Sequence, residues 1–84
     1  MTETSSQVGG AQAISRAMLV LRAVSRTRGE GAGLLALTRD TGMSKPTVHR
    51  ILAALAAEGM VEQDLASRRY FLGPECHVLG NIAS

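Results

Sequence analysis

Lys45, Thr47, His49 and Arg50 cluster on one side of a candidate helix whose other side carries the apolar stripe Val48, Ile51, Leu52 and Leu55. Cations and hydrogen-bond donors presented along a helix suit a polyanion. Lys45 and Arg50 can reach phosphate oxygens or the O6 and N7 atoms of guanine, and arginine does the latter bidentately. Ser44 and Thr47 place hydroxyls and backbone N–H groups at the helix start, where the helix dipole favours a phosphate. His49 can donate or accept at a base edge. Arg68 and Arg69 fall beside an expected hairpin turn, where minor-groove or phosphate contact is the natural chemistry. Each assignment has a plainer competitor. Lys45 and Arg50 can be solvated helix charge, Ser44 a helix cap only, His49 an idle surface histidine, and the arginine pair a solvated hairpin.

Such a helix needs elements that hold it out from a core. Gly42 is placed as a turn residue, with Leu37 and Thr38 upstream and Met43, Val48 and Ile51 downstream. That is the order of a helix-turn-helix, in which the chain reverses at a residue tolerant of positive φ. The first of its helices spans Leu34–Thr41, with Gly33 as N-cap and Gly42 as its stop. The second spans Ser44–Glu58, with Ser44 as N-cap, Pro46 in the first turn and Gly59 at the end. Upstream, Ile14, Ala17, Met18, Leu21 and Val24 recur at helical spacing from Ala11, and that helix is expected to end near Arg28. Gly29–Gly33 lacks the GK[ST] ending of a phosphate loop and follows no strand, so it reads as a flexible connector with room for one short strand. Downstream, strands over Met60–Asp64 and Arg68–Gly73 flank a turn at Leu65–Ser67, and Tyr70 and Leu72 share the inward face. Pro74 opens a last helix over Glu75–Ala83, with Cys76, Leu79 and Ile82 on one side.

The fold class expected is mostly α with a small β-hairpin, a winged helix-turn-helix with a three-helix core, a wing and a terminal helix. Residues 1–10 read as a disordered polar tail, 11–74 as the domain, with the helix-turn-helix at about 34–58, and 75–84 as the beginning of a linker helix.

Composition bounds the function. The chain has 84 residues, a net charge of +2 and 45% hydrophobic residues, with Tyr70 and Phe71 its only aromatics. One modest core of Leu, Val, Ile, Met and Ala follows, enclosing no ligand pocket of the usual ~300 Å³. The small net charge identifies no partner, but its distribution is uneven. Arg16, Arg22, Arg26 and Arg28 fall in a stretch without acids, Glu58, Glu62 and Asp64 cluster, and Arg68 and Arg69 restore the positive sign. Cys76 is the only cysteine, so the chain forms no internal disulfide, and with two distant histidines it builds no zinc site. No stretch approaches the ~20 apolar residues of a membrane span, and Met1–Gly10 lacks the pattern of a signal peptide. A cytoplasmic, reduced protein without cofactor or metal is expected. The acidic cluster has no pocket or partner base, and His49 belongs to the helix, so no enzyme is expected.

Residues 14–80 resemble the N-terminal DNA-binding domain of the IclR family of bacterial transcription regulators. Ser15-Arg16-Ala17, Thr41-Gly42-Met43, the run Lys45–Leu52, Leu55 with Gly59-Met60-Val61, and Arg68–Gly73 carry the resemblance. Pro46, Thr38 and Gly33 depart from it, standing where Ser, a small Ala, and Ser or Thr are usual. The resemblance implies a linker helix leading to a larger C-terminal effector-binding domain that this sequence lacks. The function expected is sequence-specific binding of double-stranded DNA, through Ser44, Lys45, Thr47, His49, Arg50, Arg68 and Arg69. Helix 44–58 would enter the major groove, and wing 65–69 would touch the adjacent backbone or minor groove. Useful specificity asks for a homo-oligomer, a dimer on a palindromic operator, with a small-molecule effector acting only through the missing domain. The alternative is a winged-helix protein-interaction module without DNA binding, against which Lys45 and Arg50 argue. A more remote reading is a shape-selective binder of left-handed DNA or double-stranded RNA.

Overall fold

The computed structural model describes residues 2–84, with side chains from Gly10 onward. Its elements are α1 (Thr2–Ser25), α2 (Leu34–Thr41), α3 (Lys45–Ala57), β1 (Val61–Gln63), β2 (Tyr70–Leu72) and α4 (Pro74–Ala83). Helices α1, α2 and α3 pack on one another, and the antiparallel β1–β2 hairpin closes the open side of that bundle against α1 and α3. Four helices and a hairpin in this order make a winged helix-turn-helix.

The core is the place where these elements meet. Val20, Leu21, Ala23 and Val24 of α1, Leu37 of α2, Val48 and Leu52 of α3, Val61 and Tyr70 are all buried. The stripe read from the sequence is shifted on α1. Val20 and Ala23 are buried although the reading passed them over, while Ile14 is 67% exposed. The buried positions of α1 fall between Val20 and Val24, and Ile14, more than a turn earlier, lies outside that core.

Several boundaries differ from expectation. The α1 backbone begins at Thr2, nine residues ahead of Ala11. Once the stripe has nucleated a helix, adding a residue costs little, and propagation can outrun the packed segment. For the tail expected over residues 1–10, Met1 and the side chains up to Gly9 lie outside the described residues. At its other end α1 stops at Ser25 rather than near Arg28. There Thr27 N–H donates to the Val24 carbonyl (3.2 Å) and Arg28 N–H to that of Ser25 (3.3 Å), a tightened turn of i−3 bonds. Arg28 then enters the left-handed region at φ 52°. Both strands are shorter than expected, because side chain and backbone of Asp64 take over the turn, as described below.

The loop between α1 and α2 is more than a connector. Ala32 and Tyr70 exchange both backbone hydrogen bonds at 2.8 Å, adding a single rung to the hairpin, and Gly31 packs beneath Phe71. The short strand foreseen there is this one rung.

The helix-turn-helix forms as read. Gly42 stands at φ 74°, ψ 8°, and its N–H donates to the Thr38 carbonyl at 2.9 Å. A side chain at this position would meet the left-handed penalty, which glycine escapes. The Thr38 hydroxyl donates to the Leu35 carbonyl (2.6 Å), so the departure at this position is absorbed locally. At the end of α3 the Met60 N–H reaches back to the Leu55 carbonyl (2.9 Å), a Schellman closure that turns the chain into β1.

Candidate nucleic-acid interface

Helix α3 starts as its sequence dictates. The Ser44 hydroxyl accepts from the Thr47 N–H (3.4 Å) and donates to the Thr47 hydroxyl (2.9 Å), while Pro46 sits in the first turn. Both hydroxyls are therefore engaged in capping, and Thr47 is half-buried. Lys45, His49 and Arg50 are exposed.

The four residues read as one face do not all look the same way. At about 100° per residue, Pro46, Arg50 and Ala53 lie opposite the buried Val48 and Leu52. Arg50 and Thr47 border an open groove of about 400 Å³ between α3 and α1, with Arg16, Ala17 and Ile51. It is a surface groove between two helices rather than an enclosed cavity. His49 turns the other way, toward the wing, where it borders a second recess with Arg68, Arg69 and Tyr70. The outward ridge of α3 is thus flanked by Arg16 on the α1 side and by the wing arginines on the other.

The wing owes its shape to Asp64. Its carboxylate accepts from the Ser67 N–H (2.8 Å), its carbonyl accepts from the Arg68 N–H (2.7 Å), and its N–H donates to the Arg69 carbonyl (2.9 Å). The Ser67 hydroxyl accepts in turn from the Arg69 N–H (3.2 Å). Arg68 is held at φ 66°, and the tip residue Leu65 is 81% exposed. A non-glycine residue at positive φ cannot continue a strand, which is why β2 begins only at Tyr70.

The two wing arginines have different tasks. Arg69 Nη1 donates to the Glu30 carbonyl (3.2 Å), tethering the wing to the loop before α2. Among the described residues Arg68 makes no side-chain hydrogen bond, and its guanidinium is free to meet a ligand. Reading the pair as equivalent was too coarse.

The Ser67 side chain, and after it the Ser67 N–H, hold the Asp64 carboxyl below its ordinary value. A depressed folded-state pKa means that this contribution is complete above the unfolded-state value and is lost as pH falls through the folded one. The Ser67 amide resonance is expected to move as pH falls through the lowered Asp64 value, and Asp64→Asn is expected to abolish that movement.

Among the described residues no group of three His, Cys, Asp or Glu side chains could hold a metal, and no helix is long and apolar enough to cross a membrane. Cys76 is half-buried, and its thiol donates to the Met60 carbonyl at 3.2 Å.

The sequence profile of the IclR helix-turn-helix domain matches residues 13–65, which takes in the C-terminal half of α1, the helix-turn-helix and the first part of the wing. The chain belongs to the IclR helix-turn-helix family. This IclR-type domain is 45% identical over 70 residues to the glycerol operon regulatory protein of Streptomyces griseus, covering 83% of this chain and 27% of that protein. It is 40% identical over 73 residues to the HTH-type transcriptional regulator Rv1719 of Mycobacterium tuberculosis, covering 87% of this chain and 28% of that one. The crystal structure of an IclR transcriptional regulator from Alicyclobacillus acidocaldarius superposes with a TM-score of 0.79 at 35% identity, over 86% of this chain and 29% of that one. The chain therefore spans a little over a quarter of the relatives it matches. As an IclR-type domain it is a DNA-binding module of a transcription regulator, in a family of regulators rather than catalysts.

Two neighbours of these residues are set by packing alone. Arg16 lies in the arginine-rich stretch without acids, and only the packing of α1 on α3 sets it beside Arg50. The start of α2, at Gly33 and Leu34, borders the recess that also takes in His49, Arg68 and Tyr70. The missing side-chain cap at Gly33 was the one signal available.

Proposed function

We propose that this domain binds double-stranded DNA sequence-specifically, with α3 in the major groove and the 65–69 wing on the neighbouring backbone or minor groove. The observation that carries this reading is the exposed side of α3, with Arg50 toward Arg16 of α1 and His49 toward Arg68 of the wing. A helix about 10–12 Å across fits the major groove, and basic groups on both flanks suit the phosphate walls of that groove. Arg50 reads a base. Lys45, at the first position of α3, contacts the backbone, with Ser44 and Thr47 shaping the helix start beside it. His49 faces the strand between the two grooves, while Arg68 neutralises phosphate and Arg69 fixes the wing that carries it.

One domain reads only a few base pairs, so the regulator acts as a homodimer on a palindromic operator in the cytoplasm. A small-molecule effector acts through a domain beyond the winged helix, in keeping with the chain's covering only 27% of a relative's length.

Selection of binding sites from random DNA tests the reading. Arg50→Ala is expected to cost ~1–3 kcal/mol and to blur one base position, whereas Lys45→Ala weakens all sequences about equally. An unchanged specificity profile in Arg50→Ala would show that α3 is not docked in this way. Failure of the wild-type chain to retain any duplex, at low or moderate salt, would leave a protein-interaction module instead.

A further inference from the structure

The outward ridge of α3 is chemically uneven. Pro46, Arg50 and Ala53 lie along it, all exposed, and only the middle one can hydrogen-bond through its side chain. Pro46 stands one turn ahead of Arg50 and turns a saturated ring to solvent. The backbone around it is spent as well. Proline has no N–H, the Thr47 N–H is taken by the Ser44 hydroxyl (3.4 Å), and the Val48 N–H by the Ser44 carbonyl (3.0 Å). Little of this first turn is left to hold a phosphate, and its outer side is apolar.

The base edges decide what such a surface can meet in a major groove. Guanine offers acceptors there, cytosine an amino group and adenine both, whereas thymine alone adds an apolar group, its C5-methyl. A proline ring laid over an amino group removes water from it and returns no acceptor. Over a methyl group the same ring takes apolar surface out of water on both sides.

We propose that Pro46 reads a thymine through its C5-methyl group, beside the guanine that Arg50 reads bidentately. The inference rests on the placing of α3 in the major groove. Pro46 and Arg50 are roughly 6 Å apart along the helix axis, or about two base-pair steps of ~3.4 Å. The thymine therefore lies within about two base pairs of the guanine. His49 turns away toward the wing and Thr47 toward α1, so Pro46 is the neighbour of Arg50 at the leading end of the ridge. Ala53, a turn beyond Arg50, is the competing apolar group, and the test separates the two.

The full chain is used, with binding sites selected from random DNA. The selected site should hold a thymine within about two base pairs of the position that Arg50→Ala blurs. Deoxyuridine in place of that thymine removes one methyl group and nothing else, and is expected to lower wild-type affinity about fourfold. Exchanging the pair for C·G should weaken binding too, and 5-methylcytosine there should restore part of the loss. Pro46→Ser keeps the Ser44 cap and removes the ring. It should bind the thymine and deoxyuridine duplexes equally, and its selected sites should keep the guanine and lose the thymine.

Indifference of the wild-type chain to deoxyuridine at every thymine of its site, with Arg50→Ala still altering specificity, would overturn the thymine reading and leave α3 in the groove. That arm needs only the wild-type protein, so it decides the matter even if Pro46→Ser fails to fold. Equal deoxyuridine losses in wild type and Pro46→Ser would assign the methyl contact to another side chain, Ala53 first, and overturn the role of Pro46. A wild-type chain that selects no sequence removes the groove reading and this one with it.

Discussion

Replacing Gly73 by alanine is expected to destabilise the domain by about 3 kcal/mol or more, among the largest effects open to a single methyl group here. Gly73 links β2 to α4 and is buried. A Cβ at this position would overlap the Gly59 carbonyl oxygen and stand 2.9 Å from the carbonyl carbon. Both obstacles are backbone, so no side chain can swing away. The same junction holds three hydrogen bonds, from Gly73 N–H to Met60 O (2.7 Å), Glu75 N–H to Gly59 O (3.0 Å) and the Cys76 thiol to Met60 O (3.2 Å). Relieving the clash means pulling α4 and β2 away from the end of α3, and these bonds go with the movement.

A domain of this size has roughly 5–10 kcal/mol of stability, so such a loss is a large share of it. The midpoint of urea unfolding measures it directly. Gly80→Ala is the matched control: it lies inside α4 with nothing near its missing Cβ, and is expected to raise stability by ~0.5–1 kcal/mol through helix propensity. A Gly73→Ala chain with an unchanged midpoint would mean that the α3–α4 junction is loose.

Joining a dimerisation module to Ser84 is expected to raise affinity for two inverted copies of the selected site by a factor on the order of a hundred. Alone, each domain must find its half-site separately. Helix α4 has no buried residue, and Val78, Leu79 and Ile82 on it are exposed. Those few side chains fall short of the ~1,000 Å² or more that a stable interface needs, so the bare 84-residue chain is expected to sediment as a monomer. Linkage turns the second binding event into an intramolecular one and supplies the gain without any new contact. Titration of fused and unfused chains on single and inverted sites measures it. The gain should vanish on the single site, and a tight dimer of the unfused chain would contradict the expectation.

The elements of this fold are legible in the chain because each is set by local physical chemistry. Ser44 followed by Pro46 can only begin a helix well, Gly42 suits a left-handed turn, and the alternation around Tyr70 marks a strand. The α2 and α3 boundaries, the hairpin and the final helix follow from such signals, and so does the family, whose motif residues are contiguous runs. What escaped is where short-range rules give way to packing. The end of α1 and the shortened strands depend on hydrogen bonds that the local pattern does not announce.

The binding surface divides in the same way. The sequence by itself determined that Lys45, His49 and Arg50 sit on the exposed part of one helix, because helical period and the apolar stripe leave them no other place. Tertiary structure alone decided their neighbours. The packing of α1 on α3 sets Arg16 beside Arg50, and the wing closes over the start of α2 so that Tyr70, His49 and Arg68 share one recess. It also separated the two wing arginines, giving Arg69 a carbonyl thirty-nine positions away while the Arg68 side chain bonds to none of the described residues. Periodicity records which way a side chain points within its own element. Which elements meet, and so which side chains share a space, is settled by long-range burial, and this burial leaves no local mark in the chain.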